Sequence, residues 1–402
     1  MNTERSNSDN EAQSTSLLPD IQQILHKTKT KVAVLDDDVV GTRAVHNVPV
    51  ILGKSQSVFL QMFQRETPTF HIISNTRHLS NVDARAINRL IIKHLQFASQ
   101  QTGLPFVVVN RGAATLAGYD PLLDTLEENF DIALIVGDHA ENPTMDAAVV
   151  QAGPIAIRDA LLALRPGSVC HVAAATPSDI EAIALGVLMV HTTGCRVLCR
   201  GSSTLAATVS GMTSQPPLET DDIFLRSGKG GLIVFGSYED RSLRQLDMLL
   251  TRTLITDVEV DVDALLDDKR QGDEIVRCSD VINRAIGHSD VILHTSRVLI
   301  DDGYAFSQVL AQRVDTALTA ILRGLNCVPR YMLVHGSITA NNIAAQVFNV
   351  RRAMVSGQLI PNVPVWTFNN SQGEPYLSYI ILPAGLDDVY ATTRIVKKLE
   401  DA

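Results

Sequence analysis

The sequence predicts an α/β fold made of two doubly wound domains with mostly parallel sheets. From Lys31 onward, short β-rich runs alternate with helical patterns, and the same rhythm resumes after a break at 213–229. The run Val32–Leu35 is short and wholly apolar, as expected of a parallel strand buried on both faces. At 402 residues the chain is also longer than one ordinary core accommodates.

The individual elements fall into two series. The strands predicted in the first series are Val32–Leu35, Phe70–Ser74, Phe106–Val109, Ile132–Val136, Val169–Ala173 and Val197–Cys199. Those of the second series are Gly231–Phe235, Asp257–Val260, Val291–His294, Tyr331–Val334, Val363–Phe368 and Tyr379–Leu382. The helices predicted between them are Asp83–Ser99, Asp159–Leu164, Asp179–Thr192, Leu243–Thr251, Ser307–Arg323 and Ala340–Phe348.

Composition shifts predict where the domains begin and end. Residues 1–28 are rich in Ser, Asn, Glu and Gln, which predicts a disordered leader. The segment 214–230 contains Pro216-Pro217 and a Gly-Lys-Gly-Gly run, which predicts a linker. We therefore expect a first domain over 29–213 and a second over 231–402.

Bulk properties exclude several classes of function. The net charge of −10, without a basic stripe, argues against nucleic acid as the main partner. No apolar run approaches the roughly 20 residues of a membrane span, and the amino terminus lacks an apolar signal core. The five cysteines are odd in number and scattered, which favours reduced thiols in a cytoplasmic protein.

Asp36, Asp37 and Asp38 are the candidate catalytic residues. They follow the strand Val32–Leu35 directly, and open α/β sheets bind ligands outside the carboxyl ends of their strands. Three adjacent carboxylates repel one another, so a metal ion, an ammonium group or several hydroxyls are expected to share their site. In the alternative interpretation, Asp38 caps a helix and its neighbours face water.

Other strand ends also carry polar side chains. Arg77, Arg111 and Arg200 follow strands of the first series and are candidates for the anionic end of a substrate. Glycine and hydroxyl residues follow strands of the second series and could hold phosphates through backbone N–H groups. The same small residues could instead serve only for tight turns, and the Walker phosphate-binding pattern is absent from the sequence.

Taken together, these motifs resemble the DUF1537-type four-carbon acid sugar kinase family. Residues 34–50 look like its opening motif, and 74–79 look like its second. Residues 236–245, 290–297 and 351–366 resemble its nucleotide domain. The resemblance spans about residues 31–400. It implies an amino-terminal domain that holds an acid sugar and a carboxyl-terminal domain that holds ATP with Mg²⁺.

The resemblance also implies a set of binding residues. Those for the substrate are Thr42, Asn75, Thr76, Arg77, Arg111 and Arg200. Those for the nucleotide are Gly236, Ser237, Ser296, Arg297, His335, Gly336, Ser337, Thr339 and Gly385. No protein ligand of a metal is assigned. We expect a small-molecule substrate, a role in carbohydrate metabolism, and a homodimer.

Several positions depart from the family pattern. Ala113 and Ala117 replace an Asp and an Arg of the third motif, and 137–142 is shorter than the corresponding family segment. His335 stands in place of a Lys near the phosphates, and Asp387 adds a carboxylate. These departures predict a substrate other than the usual tetronates.

Three functions remain open from the sequence. The first is an ATP-dependent kinase of a small hydroxy- or sugar-acid-like metabolite, and the second is an inactive homologue that binds a metabolite or partner. The third is a Mg²⁺-dependent phosphatase in which Asp36 is the nucleophile and Asp38 the acid/base, because Asp36-x-Asp38-x-Val40 fits the haloacid-dehalogenase motif.

Overall fold

A computed structural model describes residues 16–76, 79–111, 129–137, 143–225, 230–236, 240–296 and 304–400. Fourteen strands occur among them. In the amino-terminal half they are β1 Lys31–Asp36, β2 Val48–Ile51, β3 Thr69–Ile73, β4 Phe106–Asn110, β5 Ile132–Gly137, β6 Ser168–Ala173 and β7 Val197–Arg200. In the carboxyl-terminal half they are β8 Leu232–Phe235, β9 Thr256–Val260, β10 Val291–Thr295, β11 Met332–His335, β12 Arg352–Ile360, β13 Val363–Asn369 and β14 Pro375–Leu382.

The described helices lie mostly between these strands. Those of the amino-terminal half are α1 Leu18–Thr28, α2 Gln56–Gln64, α3 Asn81–Thr102, α4 Ala147–Gln151, α5 Pro154–Leu162, α6 Pro177–His191, α7 Ser203–Val209 and α8 Thr220–Ile223. Those that follow are α9 Asp240–Arg252, α10 Val262–Leu266, α11 Gln271–Ala285, α12 Tyr304–Arg323, α13 Ser337–Asn342 and α14 Ala391–Glu400. A 3-10 helix, η1, spans Val39–Ala44, and a π-helical turn, Ile343–Val347, follows α13.

All fourteen strands belong to one sheet, in the order β6-β5-β7-β4-β1-β3-β2-β12-β13-β14-β11-β8-β10-β9. The pairings are parallel except for the three that β12 and β13 make. The predicted α/β class with mostly parallel strands is therefore confirmed. The domain boundaries stay a prediction, because the two series of strands share this sheet.

Helices cover both faces of the sheet in each half. In β1, Val32 and Val34 pack into one core and Ala33 and Leu35 into another. In β8, alternate residues likewise enter two different cores. This alternation of burial on both faces is the packing of a doubly wound fold, and it leaves the strand ends as the places where polar side chains accumulate.

The sequence interpretation missed β2 and β12, and these strands join the two halves. They pair antiparallel, with Arg352 opposite Ile51 and Val355 opposite Val48. Because β12, β13 and β14 alternate in direction, the parallel strands of the carboxyl-terminal half run opposite to those of the amino-terminal half. Five strand steps separate β3 from β11. The ordinary twist of about 20–25° per step therefore rotates β11 by about 100–125° relative to β3.

The 3-10 helix η1 connects the halves a second time. It leaves the end of β1 and packs against β12, β13 and α13 of the carboxyl-terminal half. Its Val39 and Val40 lie in the same apolar core as Ala340 of α13. The segment that follows the three aspartates is thus part of the carboxyl-terminal core.

The predicted disordered leader is wrong for its last part. Residues Leu18–Thr28 form α1, with Ile21 and Leu25 buried against α6. The sequence signal was weak because few apolar residues mark this helix, although they lie on one face. Residues 1–15 lie outside the described part of the chain. No helix in the described part is long and apolar enough to span a membrane.

Candidate functional site

Asp36 lies at the centre of the site at the end of β1. Its side chain is fully buried. His71 Nδ1 lies 2.9 Å from Oδ2, and Arg111 Nε donates to Oδ1 at 2.8 Å. Burial raises the pKa of Asp36, but the hydrogen bonds and positive charge of His71 and Arg111 outweigh burial and hold it below its ordinary value. The carboxylate is therefore charged at neutral pH and fixes the direction of the Arg111 side chain.

This enclosure corrects the prediction for Asp36. Both carboxylate oxygens have protein partners, and a Cβ atom on Gly41 would lie 2.0 Å from Oδ1. Glycine is thus required at 41 by the close approach of backbone and carboxylate. Asp36 orients other groups and has no face toward a ligand.

Asp37 and Asp38 are more accessible than Asp36, although both are mostly buried. Their exposed fractions are 7% and 9%. Asp38 Oδ1 accepts a hydrogen bond from the backbone N–H of Val40 at 2.9 Å and so caps η1. The capping alternative is correct for Asp38, whereas the expectation that its neighbours face water is wrong.

Two arginines lie beside these carboxylates. The Arg111 side chain is 12% exposed. Burial and the charge of Arg111 lower the pKa of Arg43, while Asp36 and Asp38 attract its charge and oppose that shift. Arg43 belongs to η1 and was not singled out from the sequence. Two guanidinium groups that repel each other in a half-buried place favour an anion between them.

The neighbouring strand ends extend this group. Arg200 stands opposite Asn110 in the β4–β7 pairing, and Gly201 N–H donates to the carbonyl of Asn110. Arg200 therefore ends its strand beside Arg111. Both are half-buried. The structure thus brings together two of the three arginines predicted for the anionic end of a substrate, and Arg77 lies outside the described residues.

The loop after β3 packs onto the end of β1. Ser74 donates from its backbone N–H and from Oγ to the carbonyl of Asp36, at 2.7 and 2.9 Å. Thr76 Oγ1 lies 2.9 Å from Ser74 Oγ, and Lys54 Nζ donates to the Ser74 carbonyl. Asn75 adopts a left-handed conformation with φ 55°, which Asn tolerates well. Asn75 and Thr76 therefore lie at the predicted edge of the sheet.

Thr42 is not available to a substrate. It is fully buried, its Oγ1 donates to the carbonyl of Val39, and the same oxygen accepts from Trp366 Nε1 at 2.9 Å. Thr42 therefore fixes η1 to β13, and the prediction of a substrate contact is corrected to a contact between the two halves.

The predicted nucleotide residues occupy a row of adjacent strand ends. Gly336 N–H donates to the Leu382 carbonyl, so the loops after β11 and β14 are neighbours. A Cβ atom on Gly236 would lie 3.2 Å from Thr339 Oγ1, which places the end of β8 against α13. Gly336 has φ 90°, a conformation that favours glycine. Ser337 is half-buried beside it.

Other predicted nucleotide residues are placed less favourably. Ser296 Oγ accepts a hydrogen bond from Val262 N–H, so it fixes the start of α10. Gly385 is exposed in the loop after β14, and the nearby Asp387 pairs with Arg241 at 2.8 Å. The carboxylate that departs from the family pattern is thus paired with a cation. Ser237 and Arg297 lie outside the described residues, as do Ala113 and Ala117.

His335 does not replace the missing lysine. Its ring is fully buried and stacks on Phe235, with 4.4 Å between ring centroids. Neither ring nitrogen has a hydrogen-bond partner among the described residues. Burial lowers the pKa of His335 to about 4, so the ring is neutral at pH 7. The prediction that it contacts the nucleotide is corrected: it is a core residue of β11.

His335 makes the fold sensitive to acid. Its folded pKa of about 4 lies below the ordinary value of 6.5, so the unfolded chain binds the proton first. The contribution of His335 to the free energy of unfolding is therefore fully present above pH 6.5 and is lost as the pH drops toward 4. We expect His335→Leu to show a weaker loss over this interval in urea denaturation. An equal loss in both proteins would contradict this assignment.

The acidic end of β1 and the nucleotide row meet through η1. Asp38 caps η1, and η1 packs against α13, the helix that begins directly after Gly336. Among the described residues, no group of three His, Cys, Asp or Glu side chains is arranged to hold a metal ion. A cation at this site would need ligands from a bound molecule as well as from the protein, as is usual for Mg²⁺ on phosphates.

Comparison with known proteins agrees with this geometry. Residues 232–383 match the family model of the nucleotide-binding C-terminal domain. A DUF1537 protein structure from Haemophilus influenzae aligns with a TM-score of 0.59 at 13% identity, over 92% of this chain and 99% of that one. The match at 232–383 supports the resemblance to the DUF1537-type four-carbon acid sugar kinase family and assigns a nucleotide-binding domain to the carboxyl-terminal half. The likeness to the Haemophilus influenzae structure shows a shared fold.

Further solved structures share the fold. A protein of Salmonella typhimurium LT2, named as a candidate tRNA synthase, aligns with a TM-score of 0.61 at 13% identity, over 90% of this chain and 97% of that one. A DUF1537 structure from Bordetella bronchiseptica, a domain-swapped dimer with bound citrate, is 14% identical over 92% of this chain and 98% of that one, with a TM-score of only 0.36. A homodimer of this chain stays a prediction. No curated protein matches the sequence.

Proposed function

We propose that this protein binds ATP in its carboxyl-terminal half and transfers a phosphoryl group to a hydroxyl of a small hydroxy- or sugar-acid-like metabolite. One observation carries the proposal: the helix α13 of the nucleotide-binding domain packs against η1, which the acidic end of β1 caps. Phosphoryl transfer depends chiefly on bringing the two reactants together, and this contact joins their two binding regions.

The substrate is held at the end of β1 in this proposal. Arg111, Arg43 and Arg200 bind its anionic end, since they supply guanidinium groups from adjacent elements. Asp37 and Asp38 bind hydroxyl groups, and one of them accepts the proton of the attacking hydroxyl. Asp36 is the positioning residue that holds Arg111.

The nucleotide is held at the ends of β8 and β11. Backbone N–H groups near Gly236 and Gly336 bind phosphate oxygens, and Thr339 adds a hydroxyl at the same place. Mg²⁺ bound to the phosphates would neutralise part of their charge, and Asp37 or Asp38 would be its protein ligand.

A second candidate function is nucleotide binding without transfer. It is favoured by one observation, the neutral and buried state of His335 where the family carries a lysine. Removing a permanent cation from a phosphoryl-transfer site lowers the rate strongly, because stabilising the charge of the transition state is a major part of this catalysis. Arg111 and Arg43 are the cations that would have to compensate.

The phosphatase alternative fits the structure poorly. A nucleophilic aspartate must present an oxygen to the phosphorus atom, yet both oxygens of Asp36 are engaged by His71 and Arg111. We also propose a cytoplasmic location, supported by the five cysteines, all of which are free thiols.

Turnover of ATP tests the proposed function. ADP formation is measured with Mg²⁺ and a panel of hydroxy, sugar and amino acids. We expect one or more hydroxy acids to accelerate ADP formation, and Asp37→Asn to lower kcat by about 100-fold or more while leaving the Kd for ATP in the absence of Mg²⁺ unchanged. Asp159→Asn, an exposed carboxylate on α5, is the matched control and should leave kcat unchanged.

The outcome separates the two candidate functions. Acceleration that depends on Asp37 supports transfer. Tight ATP binding with no acceleration by any acid would contradict transfer and favour binding alone.

A further inference from the structure

A cavity lies at the opposite edge of the sheet from Asp36. Its volume is about 800 Å³. It is lined by Lys31, the first residue of β1, by Pro68 just before β3, and by Leu104 just before β4. These positions are at the amino ends of parallel strands, whereas Asp36 ends β1, so the cavity is separate from the acidic end of β1. Helix α1 supplies one wall through Leu25.

The cavity combines apolar walls with positive charge. Leu25, Phe63 and Leu104 give it an apolar surface. Its cationic residues are Lys29, Lys31 and Arg65. Glu66 is the carboxylate among its lining residues, and it makes no ion pair with Lys31. In a chain with a net charge of −10, this local excess of positive charge is unusual.

Lys31 is the most informative of these residues. It is 4% exposed, and Nζ donates to the backbone carbonyls of Arg65 and Thr67. An ammonium group has three donors, so one remains for a further acceptor. No described carboxylate pairs with it, and a buried cation without a counter-charge is costly. Burial lowers the pKa of Lys31 accordingly.

We propose that this cavity binds an organic carboxylate with an apolar tail. The carboxylate accepts hydrogen bonds from Lys31 and pairs with the charge of Lys29 at the end of α1. The tail lies against Leu25, Phe63 and Leu104. Because α1 forms one wall and β1 another, the bound molecule holds this helix against the sheet.

Titration of the full chain with octanoate by calorimetry tests the proposal, with octanamide as the neutral analogue. We expect one octanoate per chain, with octanamide binding about tenfold or more weaker. Lys31→Met, which keeps the length of the side chain, should weaken octanoate binding by a similar factor. Gln64→Glu adds a negative charge at an exposed position of the cavity lining, with almost no change in shape, and should also weaken it.

The control is Gln372→Glu, the same change at an exposed turn between β13 and β14. It should leave octanoate binding unchanged. If Lys31→Met does not fold, the contrast between Gln64→Glu and Gln372→Glu still decides. Absence of octanoate binding at millimolar concentration would overturn the proposal. So would equal octanoate affinity in wild type and Gln64→Glu, or equal affinity of wild type for octanoate and octanamide.

Discussion

Replacing Arg111 with Met is expected to lower the free energy of unfolding by about 3 kcal/mol. Arg111 Nε is the donor to Asp36 Oδ1, and Asp36 is fully buried. Without the guanidinium, the buried carboxylate keeps only His71, and removing one partner of a buried pair leaves an uncompensated charge. Urea denaturation at pH 7 measures the difference.

The pH dependence of this effect has a definite sign. The folded pKa of Asp36 lies below its ordinary value of 3.8, so the unfolded chain takes up the proton first as the pH falls. The stability that Asp36 contributes is present above pH 3.8 and is lost as the pH drops through the lower folded pKa. The difference between wild type and Arg111→Met should therefore shrink below about pH 4.

Arg158→Met is the matched control for Arg111→Met. Arg158 pairs with Asp159, but the two side chains are 31% and 59% exposed. An exposed ion pair contributes about 0–1 kcal/mol, so this variant should unfold almost as wild type does. Equal losses of unfolding free energy in the two variants would show that the Arg111–Asp36 pair stabilises the fold no more than an exposed ion pair does.

Replacing Gly41 with Ala is expected to have a comparable effect, about 3 kcal/mol. The added methyl group would lie 2.0 Å from Asp36 Oδ1, and relief of that clash requires the carboxylate to move away from His71 and Arg111. The substitution should also weaken substrate binding, since Arg111 loses its positioning partner. Thermal denaturation and substrate affinity are the two measurements.

Gly272→Ala provides the contrast. Gly272 is exposed in the first turn of α11, with nothing within 4 Å of an added Cβ atom. The same change there should be neutral or stabilise by up to about 1 kcal/mol, because alanine favours the helix. If Gly41→Ala behaved like Gly272→Ala, the close contact with Asp36 would be absent.

The strands with uniform apolar runs could be predicted from the sequence, because burial on both faces selects such runs. The run Val32–Leu35 lies within β1, and the strand predicted at Val291–His294 lies within β10. The two strands that join the halves could not. Pro49 interrupts the pattern of β2, and β12 alternates buried and half-buried residues around Gly357. Only the tertiary pairing makes strands of these two segments.

The site was predicted only in part for a similar reason. The position of the aspartates and of Arg111 followed from where their strands end. Which of three adjacent carboxylates is enclosed depends on His71, a residue in the middle of β3 that carries no local signal. The hydrogen bond between Thr42 and Trp366 joins residues 324 positions apart, so no local sequence pattern predicts it.

The central claim is that the loop after β11 binds ATP beside the acidic end of β1. Calorimetric titration with ATP and Mg²⁺ tests it most directly in wild type, Gly336→Asp and Gly153→Asp. Both glycines precede a helix with positive φ, 90° and 94°, and extended ψ, and both have open space around an added Cβ, so the two variants bear similar backbone strain. Gly153 lies directly before α5 in the amino-terminal half, far from the nucleotide row in the sequence.

We predict magnesium-dependent ATP binding that Gly153→Asp retains and Gly336→Asp loses. Absence of binding in wild type at millimolar ATP, or equal binding in both variants, would contradict the claim.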